Sequence, residues 1–233
     1  MRHIFFLLFY LVGCAEVAPT DTSEDTDTDI PFEPLDGQGL LSGACGVLTE
    51  DNLSSSQAAL FSNTLDFGTA FDEDDLTLGG QEVLDDGNLG GSSIWSEVFA
   101  FEILYRCERA QLIKTEGEIT YQDPSGKKTD LLVTIESMSI GVSVTRAFAW
   151  PPEDPYTTEQ AESLLTDKLA DIPLSSANVS DEDRWSKQIL HILAYTPDHA
   201  KTVQEVWETM DASVKGDTIV IVSATEGDDA FMY

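Results

Sequence analysis

The chain has 233 residues, of which 42% are hydrophobic, and its formal net charge is -31 at pH 7. This length and apolar content are enough to bury one sizeable core. The negative charge repels polyanions, so it argues against sequence-independent binding of nucleic acid, which depends on neutralising phosphates with Lys and Arg.

The first 13 residues are typical of an exported precursor. Residues 4–12 are an unbroken apolar run after Arg2, too short for a membrane-spanning helix, which needs about 20 apolar residues. Residues 11–14, Leu-Val-Gly-Cys, resemble the lipobox of bacterial lipoprotein precursors. The resemblance implies cleavage before Cys14, lipid on its thiol, and a membrane-anchored protein of the bacterial cell envelope that faces the periplasm or the cell surface. The alternative is an ordinary cleaved signal peptide with a chance cysteine.

Residues 14–36 are rich in Asp and Thr, and we predict that they form a disordered tether. Residues 1–36 hold eight acids and one base, which leaves a charge of -24 on the remainder. Mutual repulsion and a lack of apolar groups favour an extended chain. We predict that residues 37–91 form a turn-rich extension of the globular domain in which only 57–65 is weakly helical. Residues 92–233 are predicted to form its α/β core.

Two cysteines remain beyond the proposed lipid site, Cys45 and Cys107. In an oxidising compartment such a pair predicts one disulfide bond. Two free, buried cysteines are the alternative. A metal site has no support, because neither cysteine has a CxxC partner or a histidine-rich neighbour.

The core begins with a helix from Ser92 or Ser93 to about Arg109, because apolar residues recur there at helical spacing. Strands are expected over 110–121, 131–135 and 140–147. Helices should follow from Thr157 to before Pro173, over 180–195 and over 196–214, and a buried strand over 218–222. This order predicts an α/β fold, with α+β as the variant, in which helices flank a single mixed sheet.

The order α-β-β-β-α-β over residues 92–224 resembles the core of restriction-endonuclease-like nucleases, the PD-(D/E)XK superfamily. The resemblance implies an Asp on the second core strand and an acid-x-Lys pair on the third, which together hold metal ions. Asp130 opens the second strand here, but Ser143 and Thr145 stand at the positions of the acid and the lysine. Neutral hydroxyls cannot replace a carboxylate that balances Mg²⁺ or a lysine that stabilises a developing oxyanion.

Other carboxylates could supplement Asp130. Glu102 lies on the preceding helix, and Glu116 and Glu118 lie on the first predicted strand. A hairpin of the second and third strands would bring Asp130 near Thr145 and Arg146. The alternative is that Asp130 forms a structural ion pair with Arg146 and that the other acids face solvent.

The remaining polar candidates are weaker. Gln188, His191 and Tyr195 fall on the predicted 180–195 helix and faintly resemble the Gln-x-x-x-Tyr helix of exonuclease-type relatives. His191 and His199 are eight residues apart across a proline, so we expect structural roles for both rather than zinc binding. Most bases beyond residue 36 are scattered along the core: Lys114, Lys127, Lys128, Arg146, Lys168, Arg184 and Lys187. No serine-hydrolase, nucleotide-binding or zincin motif occurs.

The sequence therefore predicts a lipid-anchored binding or structural protein of the envelope that needs no cofactor, with the membrane as one partner. It does not identify a protein or small-molecule partner. The alternative is a metal-dependent phosphodiesterase that uses Mg²⁺ with Asp130, Glu116 or Glu118, and Arg146. Three carboxylates converging within about 5 Å around an open cleft would favour the enzyme.

Overall fold

The computed structural model describes residues 39–69, 71–87, 94–152 and 154–233. The predicted signal peptide and tether, Cys14, and the proposed helix cap at Ser92 or Ser93 lie outside these residues. Within the described ranges, no helix is both long enough and apolar enough to span a membrane.

Seven strands form one mixed sheet in the order β1-β2-β7-β6-β5-β4-β3. The three central pairings, β2 with β7, β7 with β6 and β6 with β5, are parallel, and the pairings towards both edges are antiparallel. The strands are β1 Leu40–Gly43, β2 Ala59–Phe67, β3 Gln111–Thr115, β4 Leu131–Ile135, β5 Met138–Ala147, β6 Lys187–Ala194 and β7 Ile219–Gly227.

Helices cover both faces of the sheet, which confirms the predicted fold class. They are α1 Glu50–Ser54, α2 Leu78–Asp86, α3 Ile94–Glu108, α4 Thr158–Asn178, α5 Pro197–Thr209 and α6 Ala212–Lys215. Helix α3 packs on one face, whereas α4 and α5 pack on the other. The predicted α-β-β-β-α-β series ended with the strand over 218–222, which belongs to β7, whereas in the structure β6 already follows α4 and joins β5 in parallel.

The predicted helix over 180–195 is wrong, because Lys187–Ala194 is strand β6 in the middle of the sheet. All eight residues of β6 are buried. Ile189 and Leu193 join the core on the α3 side, while Leu190 and Ile192 join the core on the α4 side. Burial on both faces removes the polar alternation that marks an ordinary strand, so the run could be mistaken for a helix.

The predicted stop of α4 before Pro173 is also wrong. Thr157 and Gln160 form the expected capping box, but the helix continues through Pro173 to Asn178. Proline has no N–H for the carbonyl of Leu169, which costs about 3 kcal/mol in a helix interior. We attribute the continuation to burial on both sides of the proline, since Ile172 is 4% exposed and Ser175 is fully buried.

Other predicted elements also differ from the structure. Most of the segment predicted to be weakly helical, 57–65, lies in β2, which begins at Ala59, so the predicted extension contributes two strands to the sheet. The strand predicted over 110–121 ends at Thr115. The last long helix ends at Thr209, and a short α6 follows before Gly216. Strand β4 matches its predicted range, and Thr196 caps α5 with Pro197 at its first position.

Candidate carboxylate site

Three carboxylates converge beside the β3–β4 hairpin. One oxygen atom each from Glu97, Glu116 and Asp130 can be chosen so that all three lie within 4.8 Å of one another. Glu97 is buried, and the other two residues are partly buried. The distance part of the criterion for an enzyme is therefore met, and the criterion also asked for an open cleft around the carboxylates.

The hairpin register explains how two of these acids meet. Thr115, the last residue of β3, is the antiparallel partner of Leu131, the first residue of β4. Glu116 directly follows the one strand and Asp130 directly precedes the other. Adjacent backbone positions in an antiparallel pair bring their side chains close together.

Glu97 is the site residue that the sequence analysis missed. It lies in the first turn of α3, three residues after Ile94 and four before Phe101. This spacing places it on the helix face that carries apolar side chains, and its side chain is only 7% exposed. The sequence feature that could have identified Glu97 is an acidic residue at a helix position that otherwise faces the core.

Asp130 is held at the cluster in a partly desolvated state. Burial raises the pKa of its carboxyl from 3.8 to about 6, and repulsion from Glu116 acts in the same direction. A hydrogen bond from the N–H of Val144 and the positive charge of Lys168 on α4 both oppose this rise in pKa. Lys168 was one of the scattered bases in the sequence, and the fold makes its charge act on Asp130.

The oxygen spacing suits a hard divalent cation. Calcium binds oxygen at about 2.3–2.6 Å, so ligands on opposite sides of the ion lie about 4.6–5.2 Å apart. Magnesium needs about 4.0–4.2 Å across the ion. Three oxygen atoms within 4.8 Å of one another are close enough to act together as ligands of one such ion, with at most a small adjustment of their positions. A set made only of carboxylates also matches the ligands that these ions prefer.

Strand β5 contributes hydroxyls where the resembled nucleases have an acid and a lysine. Ser143 is buried, and its Oγ lies 3.2 Å from Oγ1 of Thr129. Thr145 is partly buried on the same strand. Asp130 is level with Ser143 and accepts from the N–H of Val144, so it lies two residues from the level of Thr145 and three from that of Arg146, where it was expected.

The other predicted acids and Arg146 have identifiable contacts of their own. Glu102 is fully buried and accepts hydrogen bonds from both the N–H and the hydroxyl of Thr77, which caps α2. Glu118 accepts from the N–H of Thr115 and stabilises the turn after β3. Arg146 donates to the carbonyl of Met232.

Both histidines of the domain lie in packed surroundings. His191 is fully buried on β6, and its Nε2 lies 2.8 Å from the hydroxyl of Ser223. Nδ1 of His199 lies 3.2 Å from the carbonyl of Ala147. Because Gln188 and His191 lie on β6 rather than on a helix, the resemblance to an exonuclease helix is wrong.

The predicted disulfide is confirmed. Cys45 and Cys107 are bonded and tie the segment after β1 to the last turn of α3. The neighbouring Glu108 reinforces this connection, because its carboxylate accepts hydrogen bonds from three consecutive backbone N–H groups, those of residues 46–48.

No protein-family model matches the chain, and no solved structure matches it. Among curated proteins, the chain is similar to the AAC-rich mRNA clone AAC4 protein of Dictyostelium discoideum, with 41% identity over 155 residues. The match covers 64% of this chain and 22% of that protein, so the chain spans about a fifth of the length of its relative. The relative's name states no activity or ligand, and the comparison therefore carries no functional conclusion.

Proposed function

We propose that this protein is a lipid-anchored component of the bacterial cell envelope whose domain binds a divalent cation through Glu97, Glu116 and Asp130. The observation that carries the cation-binding part is the spacing of the three carboxylate oxygens, all within 4.8 Å of one another. Three like charges so close together repel one another, and a divalent cation would remove that repulsion.

The anchoring part of the proposal is supported by the sequence. The short apolar run, the Leu-Val-Gly-Cys segment at 11–14 and the acidic tether that follows have the order expected of a lipoprotein precursor. In this proposal, Cys14 carries the lipid, and the tether separates the domain from the membrane surface.

Binding without catalysis is our first choice because β5 lacks the groups that would act on a substrate. Ser143 and Thr145 are neutral, so neither balances the charge of a metal nor stabilises charge that develops in a transition state. The cation would then stabilise the hairpin and α3, or connect the domain to an acidic partner.

Metal-dependent phosphodiester hydrolysis is the second candidate, and one observation favours it. The order α3, β3, β4, β5, α4, β6 agrees with the order in the resembled nucleases, with Asp130 immediately before the second strand. A bound metal would polarise a phosphoryl oxygen and lower the pKa of a bound water. The positive charge of Lys168 already acts on Asp130. Lys168 would then be the candidate cation that stabilises the negative charge developing in the transition state.

The test is the thermal stability of the purified full-length protein, carrying Cys14→Ser, in chelator and with Ca²⁺, Mg²⁺ or Mn²⁺. We expect saturable stabilisation by these ions that disappears in Asp130→Ala. Glu118→Gln is the matched control, because Glu118 lies two residues from Glu116 and outside the carboxylate cluster. A cation response that is absent in the parent, or unchanged in Asp130→Ala, would exclude the site.

Incubation with DNA and RNA separates the two candidates. At about 50 mM salt, where binding of nucleic acid is strong, we expect neither cleavage nor tight binding with Mg²⁺ or Mn²⁺. Several bases are already in ion pairs with the chain's own acids: Lys114 with Asp183, Lys127 with Asp171, Arg184 with Asp181 and Lys187 with Asp217. Cleavage that is lost in both Asp130→Ala and Lys168→Met would favour the enzyme.

A further inference from the structure

A cleft of about 270 Å³ lies at the carboxyl ends of β6 and β7. Residues 195–197 line it from the connection between β6 and α5, and residues 225–227 and Asp229 line it from the end of β7 and the turn after it. Strands β6 and β7 are parallel neighbours, and ligands of open α/β sheets usually bind outside the carboxyl ends of such strands. The cleft shares no residue with the carboxylate cluster, so it is a candidate site that is independent of the proposed function.

The charges along the cleft favour a cation. Among the described residues that line it, Glu226 and Asp229 are acidic and none is basic. Glu226 is exposed, whereas Asp229 is only 8% exposed and accepts a hydrogen bond from the hydroxyl of Thr225. Burial raises the pKa of the Asp229 carboxyl, and repulsion from Asp228 acts in the same direction. A cation beside Asp229 would offset both effects.

The start of α5, at the edge of the cleft, offers little to an anion. Anions at a helix N-terminus are held by backbone N–H groups that have no other acceptor. Pro197 at the first position of α5 has no N–H, and the hydroxyl of Thr196 already accepts from the N–H of His199. Asp198 adds a negative charge in the first turn. Arg146 is not part of the cleft lining, and it donates to a backbone carbonyl near the C-terminus.

Aromatic rings form a partly exposed surface beside the acids. Tyr195 lines the cleft, and its ring centroid lies 4.9 Å from that of Tyr233 and 5.4 Å from that of Phe148. The ring centroid of Phe148 lies 6.3 Å from that of Trp150, which is 80% exposed. Connected exposed apolar groups often mark a binding surface, and the negative face of an aromatic ring attracts a cation.

We propose that this cleft binds a small organic ammonium ion, with its charged group at Glu226 and Asp229 and its apolar body against the ring of Tyr195. A primary ammonium has three donors, and its hydrogen bonds to carboxylates are charge-assisted and therefore roughly twice as strong as neutral ones. The cleft is slightly smaller than sites for drug-sized ligands, which measure about 300–1,000 Å³. It therefore suits a small amine.

The test compares three probes with matched skeletons, 2-phenylethylammonium, 2-phenylethanol and phenylacetate, on the full-length chain carrying Cys14→Ser. Isothermal calorimetry at pH 7 reports binding, and salt at about 0.15 M screens the long-range attraction of any cation to this acidic chain. We expect saturable binding of the ammonium, because it alone combines an apolar body with a charge that complements the two acids. The alcohol should bind much more weakly, and phenylacetate should not bind.

Variants of the two acids locate the binding. Asp229→Asn keeps an oxygen for the hydroxyl of Thr225 and should weaken binding of the ammonium by about tenfold or more, because it removes a hydrogen bond to a charged group. Glu226→Gln should weaken it by about three- to fivefold, since Glu226 is exposed to solvent. Glu162→Gln is the matched control, because Glu162 is exposed on α4 outside the cleft and the change removes the same charge. Binding should be the same in this control as in the parent.

Tyr195→Leu tests the aromatic contact. Leucine keeps an apolar side chain but has no ring face, so binding of the ammonium should weaken by about two- to fivefold. Because Glu226 is exposed, Glu226→Gln keeps the test decisive if Asp229→Asn or Tyr195→Leu does not fold. The proposal would be overturned if the ammonium does not bind saturably, if the alcohol binds equally well, or if Glu226→Gln has no larger effect than Glu162→Gln.

Discussion

The carboxylate of Asp130 accepts a hydrogen bond from the backbone N–H of Val144 at 2.6 Å, across the pairing of β4 with β5. This bond fixes the carboxylate beside Glu97 and Glu116. It also allows the charge of Asp130 to be separated from its role as an acceptor, because an asparagine at this position keeps an oxygen for the Val144 N–H.

Asp130→Asn should stabilise the protein in chelator and abolish its response to calcium. Burial raises the pKa of the Asp130 carboxyl from 3.8 to about 6, so the unfolded chain releases this proton at lower pH than the folded protein does. The parent therefore loses stability as the pH rises between these values, and the loss persists at pH 7. The free energy that corresponds to this pKa shift is reduced because Asp130 is partly exposed. We therefore expect the free energy of unfolding of the variant at pH 7 to be about 1–2 kcal/mol higher than that of the parent.

Urea unfolding at pH 4, 6 and 7 measures this difference, which should shrink towards zero at pH 4. Repeating the pH 7 series with calcium should reverse its sign, because the parent alone gains stability from the ion. A variant that is no more stable than the parent in chelator, or that still responds to calcium, would contradict this prediction.

His191 should make the protein less stable in mild acid. Burial lowers the pKa of its imidazole from 6.5 to about 3. As the pH falls below 6.5, the unfolded chain takes up a proton that the folded protein does not accept, so stability is lost down to about pH 3. The effect of this one residue should reach about 2 kcal/mol at pH 5.

His191→Gln isolates this effect, because glutamine keeps a polar group near the hydroxyl of Ser223. Between pH 7 and pH 5, the variant should lose about 2 kcal/mol less of its free energy of unfolding than the parent. Urea titrations of both proteins in the same buffers provide the measurement. Parallel pH profiles would show that His191 does not contribute.

Cys14→Ser should prevent lipid attachment. The expected product in a bacterial host is an unprocessed precursor or a soluble form, because the serine hydroxyl cannot replace the thiol that carries the lipid. Detergent-phase partitioning and the intact mass of parent and variant give the readout. Cys45→Ser, which leaves the proposed lipid site untouched, is the control and should partition as the parent does. A normally processed, detergent-partitioning Cys14→Ser protein would disprove the lipid anchor.

Loss of the Cys45–Cys107 disulfide should destabilise the domain with little change to its native loop. The bond joins residues 62 positions apart. Closing a loop of this size stabilises the folded protein by about 4 kcal/mol, because the cross-link lowers the conformational entropy of the unfolded chain. The three N–H bonds to Glu108 should hold the loop after reduction. The double variant Cys45→Ser/Cys107→Ser should therefore unfold at lower urea, and unreduced peptide mapping of the parent should recover the linked pair. Two alkylatable thiols in the native protein would be inconsistent with the bond.

Features that depend on local chemistry are encoded by residues that are neighbours in the chain. The capping box of Thr157 with Gln160, the Thr196-Pro197 start of α5, the range of β4 and the position of Asp130 before it could all be predicted, because caps, turns and strand alternation are encoded by residues a few positions apart. The cysteine pair was predictable for a different reason, since the predicted export and the proposed lipid on Cys14 leave two cysteines with one possible pairing.

Features that depend on burial by distant elements could be learned from the fold alone. Strand β6 was predicted as a helix because α3 and α4 cover both of its faces and thereby remove the polar alternation. Helix α4 passes Pro173 because packing outweighs the lost hydrogen bond. Glu97 joins Glu116 and Asp130 only because α3 lies across the hairpin, and contact between residues this far apart in sequence is set by packing that no local pattern encodes.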